Sequence, residues 1–490
     1  MTRTAIVIGA GAAGLATAGL LAREGCQVTV LEKNADYGGR AGSLSSGGFR
    51  WDTGPSWYLM PDAFDRFFQL MGTSTAAELD LIQLKDPAYR VFPEQHSPVD
   101  VPAGRENVAR LFESIEPGAG ARLERYLDSA ELTYRTALRH FLYTTFSSPR
   151  PFLHRDVLCH LGKLARLLTM SLEGYVEKRF HDTRLRQLLS YPAVFLSTRP
   201  ESAPALYHLM SHTDLTQGVF YPVGGFRAVM EALYRLADGA EFRFSTPVSA
   251  ITVKHGRAVG VRIPGGELRA DLVVSCADLH HTETRLLPPE LRTYPEKWFA
   301  KRDPGLGTVL VMLGVRGALP ELAHHNLFFS EDWTPDFDAV FGGGRASRSI
   351  YVSKPSATDP SVAPEGCENL FVLVPVQADP AFSQVEEVAD AAVALVAERA
   401  GIADLSERVV ERHVRGPADF TADFNAWSGG SIGPAHTLRQ SAFLRGRNKS
   451  RKVDGLYYAG ASTVPGVGVP LCLISAENVL ARLARPDTSL

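Results

Sequence analysis

The chain has 490 residues, of which 45% are hydrophobic and 21% are charged. At about 150 residues per domain, this predicts two or three folded domains and excludes disordered, fibrous and miniature disulfide-held proteins. Lys and Arg total 51 against 54 Asp and Glu, a net charge of −3, which argues against broad nucleic-acid binding. The five cysteines are scattered without CxxC or metal-ligand spacing, so we expect a reducing cytoplasm and no metal site.

The first thirty residues predict a strand, a glycine-rich turn, a helix and a second strand. The apolar run 5–8 leads directly into Gly9, Gly11 and Gly14, and the second apolar run ends at Glu32. Gly9 permits a tight turn, Gly11 lets the backbone approach a pyrophosphate, and Gly14 allows close packing of helix and strand. The helix N-terminus offers N–H donors to phosphates, and Glu32 suits ribose hydroxyls. Together these features predict a dinucleotide-binding βαβ unit.

A second backbone approach point follows this unit. Gly39 and Arg40 lie in a Gly-Gly-Arg sequence, and a guanidinium suits phosphate. Residues 49–56 then read Phe-Arg-Trp-Asp-Thr-Gly-Pro-Ser and include Gly54. The stretch resembles the extended fingerprint of a flavoprotein group that includes amine oxidases, GDP dissociation inhibitors and carotenoid desaturases. That resemblance implies FAD rather than NAD as the cofactor, with contacts at Gly39, Arg40 and Gly54.

The remaining chain is divided by changes of pattern. Residues 62–235 are mostly of helical period, 242–275 alternate as strands do, and 305–415 mix strands with a helix at 385–400. The last segment, 455–483, predicts a strand, a glycine-rich turn and a helix. We therefore expect a discontinuous FAD-binding domain from residues 1–70, 236–300 and 420–490. The inserts would be a mostly helical segment for substrate and membrane contact (71–235) and a mixed strand and helix substrate segment (301–419).

The C-terminal segment carries the most specific motif. Residues 454–478, Asp-Gly-Leu-Tyr-Tyr-Ala-Gly-Ala-Ser-Thr-Val-Pro-Gly-Val-Gly-Val-Pro and onward, resemble the signature of bacterial-type phytoene desaturases. Residues 180–193 and 218–226 also resemble that family. Val464 departs from it, because a polar residue such as His is usual there, and so do Leu471 and Cys472, which replace a Gly-containing stretch.

The resemblance covers the whole chain and implies an α/β fold. This fold would have a Rossmann-type FAD-binding domain of the GR2-like flavoprotein class with an inserted mixed α+β substrate domain. It implies cofactor contacts at Gly460 and at Val248, whose backbone would meet the adenine. Pro470 suits a first helical turn, so the amides of Gly468 and Val469 would face the N1/C2=O edge of the flavin and favour hydride acceptance.

The implied activity is stepwise desaturation of 15-cis-phytoene to lycopene by hydride transfer to FAD in carotenoid biosynthesis. Alternatives are a desaturase or FAD-dependent isomerase of another carotenoid, such as a C30 diapophytoene or a later intermediate. Two more distant alternatives are a flavin amine oxidase and a non-catalytic prenyl-binding protein of the GDP-dissociation-inhibitor type. No second dinucleotide motif is present, so oxygen or a quinone is the expected electron acceptor. No histidine lies in triad or metal spacing, and no catalytic side chain is assigned.

The expected substrate, a carotenoid hydrocarbon, resides in lipid, so the protein must contact a membrane. Residues 134–188 hold ten Lys or Arg against four acidic residues. An apolar stripe over 157–176 runs beside Lys163 and Arg166, which suits a helix at an anionic lipid surface. A core-facing helix with a solvated basic face fits the pattern equally well. We expect a cytoplasmic protein attached peripherally to the inner face of the cell membrane.

Overall fold

The structure is a computed structural model that describes residues 2–147, 150–343 and 346–484; the last six residues of the predicted third FAD-binding segment therefore lie outside the described residues. Its strands are β1 Thr4–Ile8, β2 Gln27–Leu31, β3 Ser43–Ser46, β4 Phe49–Asp52, β5 Leu81–Gln83, β6 Tyr89–Pro93, β7 Val99–Val101, β8 Phe220–Pro222, β9 Ala240–Arg243, β10 Ala250–Lys254, β11 Arg257–Ile263, β12 Gly266–Arg269, β13 Leu272–Ser275, β14 Leu306–Arg316, β15 His325–Phe329, β16 Ile350–Ser353, β17 Cys367–Gln377, β18 Val409–Arg415 and β19 Leu456–Tyr458.

The helices are equally spread along the described chain. They are α1 Ala12–Arg23, α2 Pro61–Leu70, α3 Thr75–Glu78, α4 Arg105–Ile115, α5 Ala119–Ala137, α6 Arg155–Cys159, α7 Leu161–Thr169, α8 Leu172–Glu177, α9 Thr183–Ser190, α10 Pro192–Phe195, α11 Met210–His212, α12 Phe226–Leu236, α13 Leu279–Arg285, α14 Glu296–Phe299, α15 Thr334–Asp338, α16 Val385–Ala400, α17 Leu405–Arg408, α18 Pro417–Phe424 and α19 Val469–Ala484. Among the described residues, no helix is both long and apolar enough to cross a lipid bilayer.

One sheet is parallel and has five strands in the order β19-β13-β1-β2-β9. Its central strand β1 is short and apolar, and Val7 is fully buried. Such runs are typical of parallel strands covered on both faces. Helices α1, α12 and α19 supply buried residues to one apolar core beside this sheet, and the antiparallel sheet β10-β11-β12 shares a second core with it.

A second sheet has seven strands in the order β18-β14-β17-β16-β15-β6-β7. Its pairs are antiparallel except β15 with β6, and the long strands β14 and β17 pair from Leu306 with Gln377 to Arg316 with Cys367. Helix α16 packs its buried residues into the core on this sheet, as the 385–400 pattern predicts. The predicted α/β class, a parallel sheet with a mixed second sheet, is confirmed.

The helical segment differs from its predicted form. The stripe over 157–176 is divided into α6, α7 and α8, with non-helical backbone at His160 and at Met170. Leu172 and Tyr175 are buried, whereas Leu161 and Leu168 are 55% and 39% exposed. Part of the stripe therefore faces the core and part faces outward.

Candidate functional site

The carboxyl ends of the parallel strands meet at one edge of the five-stranded sheet. Gly9 follows β1, Glu32 follows β2, Asp278 lies three residues beyond β13, and Gly460 lies two residues beyond β19. In open α/β sheets, ligands bind at this edge, near the point where the strand order reverses. The fold thus brings together residues that are hundreds of positions apart.

The turn at Gly9–Gly14 requires glycine at its two ends. Gly9 has φ +97°, which favours glycine, and its N–H donates to Leu31 O at 2.8 Å. A Cβ on Gly14 would lie 1.8 Å from Gly9 O. Gly11 caps the start of α1 without a side chain. The first N–H groups of α1 therefore face a bare backbone surface, as the phosphate prediction requires.

The Gly-Gly-Arg loop packs directly on this turn. Gly11 pairs with Gly38 in a parallel bridge, and a Cβ on Gly39 would lie 3.2 Å from the Gly11 Cα. A Cβ on Gly54 would lie only 2.0 Å from Arg40 O. These glycines thus let three backbone segments, around Gly11, Gly39 and Gly54, approach one another closely.

Glu32 is buried beside the first turn. Its carboxylate accepts hydrogen bonds from the N–H of Ala10 at 2.7 Å and of Asn34 at 2.9 Å. The N–H of Thr246 donates to the Glu32 backbone carbonyl at 2.8 Å, which holds the segment with Val248 alongside. Val248 is half-buried in the extended connection between β9 and β10 rather than in a strand. Each Glu32 oxygen keeps a lone pair for a ribose hydroxyl.

Arg40 has spare hydrogen-bonding capacity. Its Nη2 lies 3.5 Å from Gly430 O and 3.6 Å from an oxygen of Asp278, and its buried Nε has no partner within the described residues. The same Asp278 oxygen lies 3.4 Å from Ser462 Oγ, in the C-terminal motif. An orphaned guanidinium N–H at the edge of a phosphate-type turn fits an anionic group.

The C-terminal motif forms a second turn against the first. Gly460 has φ +117°, and a Cβ there would lie 3.5 Å from the Ala13 side chain of α1. Its N–H donates to Ser475 Oγ at 3.0 Å. The buried amide of Asn448 donates to Tyr458 O, Val464 O and Ser475 Oγ, each at 3.1 Å. Asn448, which lies before the motif, and Ser475, which lies within it, thus fix the shape of the turn.

The end of this turn is open on the side of Gly468. Gly468 has φ +107°, and an added Cβ would meet only Pro470, at 3.9 Å. Helix α19 begins at Val469 with Pro470 in its first turn. Across the described chain, neither Gly468 nor Val469 has an acceptor for its backbone N–H. These free amides at a helix N-terminus fit the predicted contact with an electron-rich flavin edge.

Two buried basic side chains, which the sequence reasoning did not single out, support this turn. His436 Nε2 accepts from the N–H of Val467 at 3.2 Å, and its Nδ1 lies 2.8 Å from the Tyr207 hydroxyl. Burial, assisted by the Arg445 charge, lowers the pKa of His436 well below its usual range, so the ring is neutral. A fully positive ring would not accept at Nε2.

Arg445 is the second of these residues. Its guanidinium donates to four backbone carbonyls, of Ala461 at 2.6 Å, Pro434 at 3.1 Å, and Gln440 and Thr463 at 3.2 Å. Burial lowers its pKa to about 10. Its only sequence signal is its place in residues 438–448, a basic segment before the motif that also resembles the phytoene desaturase family.

One cluster of potential metal ligands lies away from this edge. His140, His154 and Asp156 place their ligand atoms within 4.8 Å of one another. Arg139 Nη1 lies 3.1 Å from the same Asp156 oxygen that His140 approaches at 3.4 Å, so an ion pair explains the grouping. The absence of a metal site stays a prediction.

The residues at the sheet edge fit FAD. The narrow glycine turns and the orphaned guanidinium match the pyrophosphate, the buried acid matches the ribose, and the helix N-terminus with free amides matches the flavin. Glu32, Arg40 and the Gly468–Val469 amides would hold those three parts. The individual contacts stay predictions.

Comparisons with known proteins agree with this assignment. The family model described as "Flavin containing amine oxidoreductase" matches residues 12–483. The chain is 39% identical to a carotenoid 3,4-desaturase of Haloarcula japonica, covering 97% of both chains. It is 36% identical to a zeta-carotene-forming phytoene desaturase of Myxococcus xanthus, covering 98% of this chain and 94% of that one. An oxidoreductase structure from Methanosarcina mazei shares the fold, with TM-score 0.67, 17% identity and 98% and 100% coverage.

The chain belongs to the carotenoid desaturase family within the flavin-containing amine oxidoreductases. Its cofactor is FAD. The predicted family, cofactor and oxidoreductase class are confirmed.

Proposed function

We propose that this protein introduces double bonds stepwise into phytoene, forming lycopene during carotenoid biosynthesis. The observation that supports this most is full-length similarity to desaturases named for phytoene, together with glycine turns at the sheet edge that fit a dinucleotide. FAD, when bound, supplies the hydride acceptor. The protein's residues anchor and orient it: Arg40 and the α1 turn at the phosphates, Glu32 at the ribose, and the α19 amides beside the ring.

A second candidate is desaturation of a later carotenoid at another position. The 39% identical relative is named a carotenoid 3,4-desaturase, whereas the 36% identical relative is named for zeta-carotene formation. A desaturase of C30 diapophytoene and an FAD-dependent isomerase remain further alternatives. Phytoene is the preferred candidate substrate because several relatives from bacteria and fungi are named phytoene desaturases.

Two more distant functions are less well supported. Covalent flavin attachment, as in some amine oxidases, would need a reactive thiol, and Cys472 was the candidate. Burial raises the pKa of Cys472 to about 11, so its thiol is protonated and unreactive near neutral pH. A non-catalytic prenyl-binding protein would not need an intact phosphate turn, yet the Gly14 and Gly54 contacts are tight.

The decisive experiment offers purified FAD-loaded protein two substrates in separate liposomes, 15-cis-phytoene and lycopene. We expect phytoene to be converted to lycopene, identified by chromatography and by its visible absorption. Consumption of lycopene alone, with phytoene untouched, would instead establish the later-carotenoid function. Running each reaction with oxygen, or anaerobically with a quinone, identifies the electron acceptor, which we propose to be one of these two.

We also propose that the protein docks on the membrane through an exposed apolar patch. The patch comprises Phe152, Leu153, Leu158, Leu161, Leu168, Leu438, Phe443 and Leu444, all between 39% and 65% exposed. The rings of Phe152 and Phe443 lie 6.4 Å apart, which joins its two chain segments. Arg155 and Arg166 are exposed on the same helices. Apolar side chains with adjoining basic residues suit an anionic lipid interface.

Reversing Lys163 and Arg166 to Glu tests this docking. Each basic residue near an anionic surface contributes about 1 kcal/mol, so we expect binding to anionic vesicles to weaken by roughly thirtyfold or more. The matched control is Lys254→Glu with Arg262→Glu, two exposed residues of the β10-β11-β12 sheet. If both double variants sediment equally with vesicles, docking does not use this patch.

A further inference from the structure

A small cavity of about 10 Å³ lies between the segment after β4 and the strands of the seven-stranded sheet. Five polar side chains line it beside a few apolar ones, namely Asp52, Ser56, Tyr221, His324 and Ser353.

Two groups in the cavity lack protein partners. His324 Nε2 and Ser353 Oγ are buried and, within the described residues, have no hydrogen-bond partner. Buried polar atoms are nearly always satisfied by protein or by ordered water. A cavity of this size has room for about one water molecule, and these polar groups can hold it. Ordered water is therefore the expected occupant.

The inner end of the cavity reaches the segment that contains Gly54, a predicted FAD contact. Ser56 follows Gly54 by two residues, and its hydroxyl lies 2.7 Å from that of Tyr351. The Tyr351 hydroxyl in turn lies 2.7 Å from Nδ1 of the buried His325. A continuous set of exchangeable protons thus begins beside the predicted FAD contact at Gly54.

The outer end approaches the surface. The Tyr221 hydroxyl donates to Asp359 at 3.1 Å. Asp359 also accepts from the N–H groups of Gly224 at 2.8 Å and Ser361 at 2.9 Å, and it lies just beneath the exposed Pro360 and Ser361. Only this outermost layer separates the carboxylate from solvent.

Asp52 provides a titratable group inside the cavity. Its carboxylate accepts from the N–H groups of Phe226 at 2.7 Å and Arg227 at 3.2 Å, at the start of α12. Burial, opposed by these hydrogen bonds and by Arg50, raises the pKa of Asp52 to about 7. A carboxyl that titrates near neutrality can both accept and release a proton.

We propose that this cavity is a proton-transfer site that connects the cofactor-facing segment at Ser56 with the surface at Asp359. The Tyr351 hydroxyl lies at its inner end and the Tyr221 hydroxyl at its outer end. Water and Asp52 pass the proton between them. The inference rests on the proposed function only for its purpose, because forming a double bond releases a proton that must leave a buried site.

Forming the double bond removes two hydrogens from adjacent carbons. One of them leaves as hydride, which carries two electrons to FAD. The other leaves as a proton, and its C–H electron pair becomes the new π bond. When oxygen or a quinone reoxidises the cofactor, the acceptor takes two electrons, the proton of the hydride and one further proton. The cavity carries the released proton out and returns the one needed by the acceptor.

The test measures proton movement without any carotenoid. FAD-loaded protein in weak buffer is reduced by a light flash with EDTA present as the electron donor, and a pH-indicator dye follows the accompanying proton uptake. We expect Tyr351→Phe to slow proton uptake at least about tenfold, with Tyr221→Phe acting in the same direction. Tyr126→Phe is the matched control, because this buried hydroxyl lies outside the cavity.

Parental uptake rates in both Tyr351→Phe and Tyr221→Phe overturn the proposal. FAD content and circular dichroism show whether each variant is folded; if Tyr351→Phe loses FAD, Ser353→Ala decides in its place, with the same expected slowing. Because no carotenoid is present, this outcome is independent of which substrate the protein desaturates. A protein that fails with phytoene but shows slowed uptake in the variants refutes the proposed function alone.

Discussion

The turns at Gly9–Gly14 and Gly460–Gly468 lie side by side at one sheet edge, yet they are stabilised differently. The first is held by its own backbone, since a Cβ on Gly14 would lie 1.8 Å from Gly9 O. The second is held by distant side chains, namely Asn448, Ser475, His436 and Arg445. Its last glycine, Gly468, faces open space. Tight sterics at Gly14 thus fix the backbone of the first turn, whereas the free space at Gly468 fits the predicted approach of the cofactor.

The largest expected effect comes from Gly14→Ala. The added methyl overlaps Gly9 O, so we expect a loss of more than about 3 kcal/mol in the free energy of unfolding and no FAD retention. Chemical denaturation and flavin absorbance after dialysis measure both. Gly162→Ala is the control, because an added Cβ in this helix meets nothing within 4 Å. Unfolding at parental denaturant concentration in Gly14→Ala would contradict the steric argument.

Glu32→Ala is expected to have the next largest effect. It removes charge-assisted hydrogen bonds worth about 1.5 to 3 kcal/mol and leaves the Ala10 N–H without its partner. We therefore expect weaker FAD binding in a protein that still folds, measured by titrating the apoprotein with FAD. Glu24→Ala, on the exposed end of α1, is the control. An unchanged dissociation constant would remove Glu32 from the cofactor site.

Ser475→Ala tests the side-chain support of the second turn. Ser475 Oγ accepts from Gly460 N–H and donates to Val464 O at 3.0 Å each, so its loss leaves buried groups unpaired at a cost of about 1 to 3 kcal/mol. We expect lower stability and looser FAD binding, read by thermal unfolding with and without FAD. Ser114→Ala, at an exposed helix position, provides the comparison. Equal melting of the two variants would show that the turn needs no such support.

The smallest effect on folding is expected for Gly468→Val. A side chain there meets open space but obstructs the approach of the cofactor, and both Val and Ala carry the backbone strain of φ +107°. Comparing Gly468→Ala with Gly468→Val therefore separates the effect of backbone strain from the effect of side-chain size. We expect the Val variant to bind FAD less well, or to hold it at a lower reduction potential, and to form less product. Parental occupancy, potential and turnover in Gly468→Val would show that this turn is purely structural.

The sequence predicted the first turn well because its contacts are local. Gly9, Gly11, Gly14 and Glu32 all lie within one βαβ unit, and each has a recognisable chemical purpose. The second turn was recognised by resemblance, but its supports His436 and Arg445 have no pattern of their own. The cavity behind Ser56 had no signal at all, since β15, which carries His325, and β16, which carries Tyr351, meet only through long-range strand pairing.

The helical segment shows a different limit. Its three-to-four apolar spacing fits both a core face and an outward face, and the structure uses both in succession. The helical stripe is interrupted at His160 and at Met170, although neither residue is a strong helix breaker. Periodicity alone therefore predicts that a helix is amphipathic, without fixing what its apolar side contacts.

The strand order has a consequence for biosynthesis of the protein. In the five-stranded sheet, β1 lies between β2 and β13, and β13 in turn borders β19, which follows β1 by more than 400 residues. A nascent chain thus carries the Gly9–Gly14 turn long before the opposing turn and α19 have been made to complete the pocket. We expect FAD to be retained only after α19 has been synthesised, so a chain truncated before Val469 should not hold the flavin.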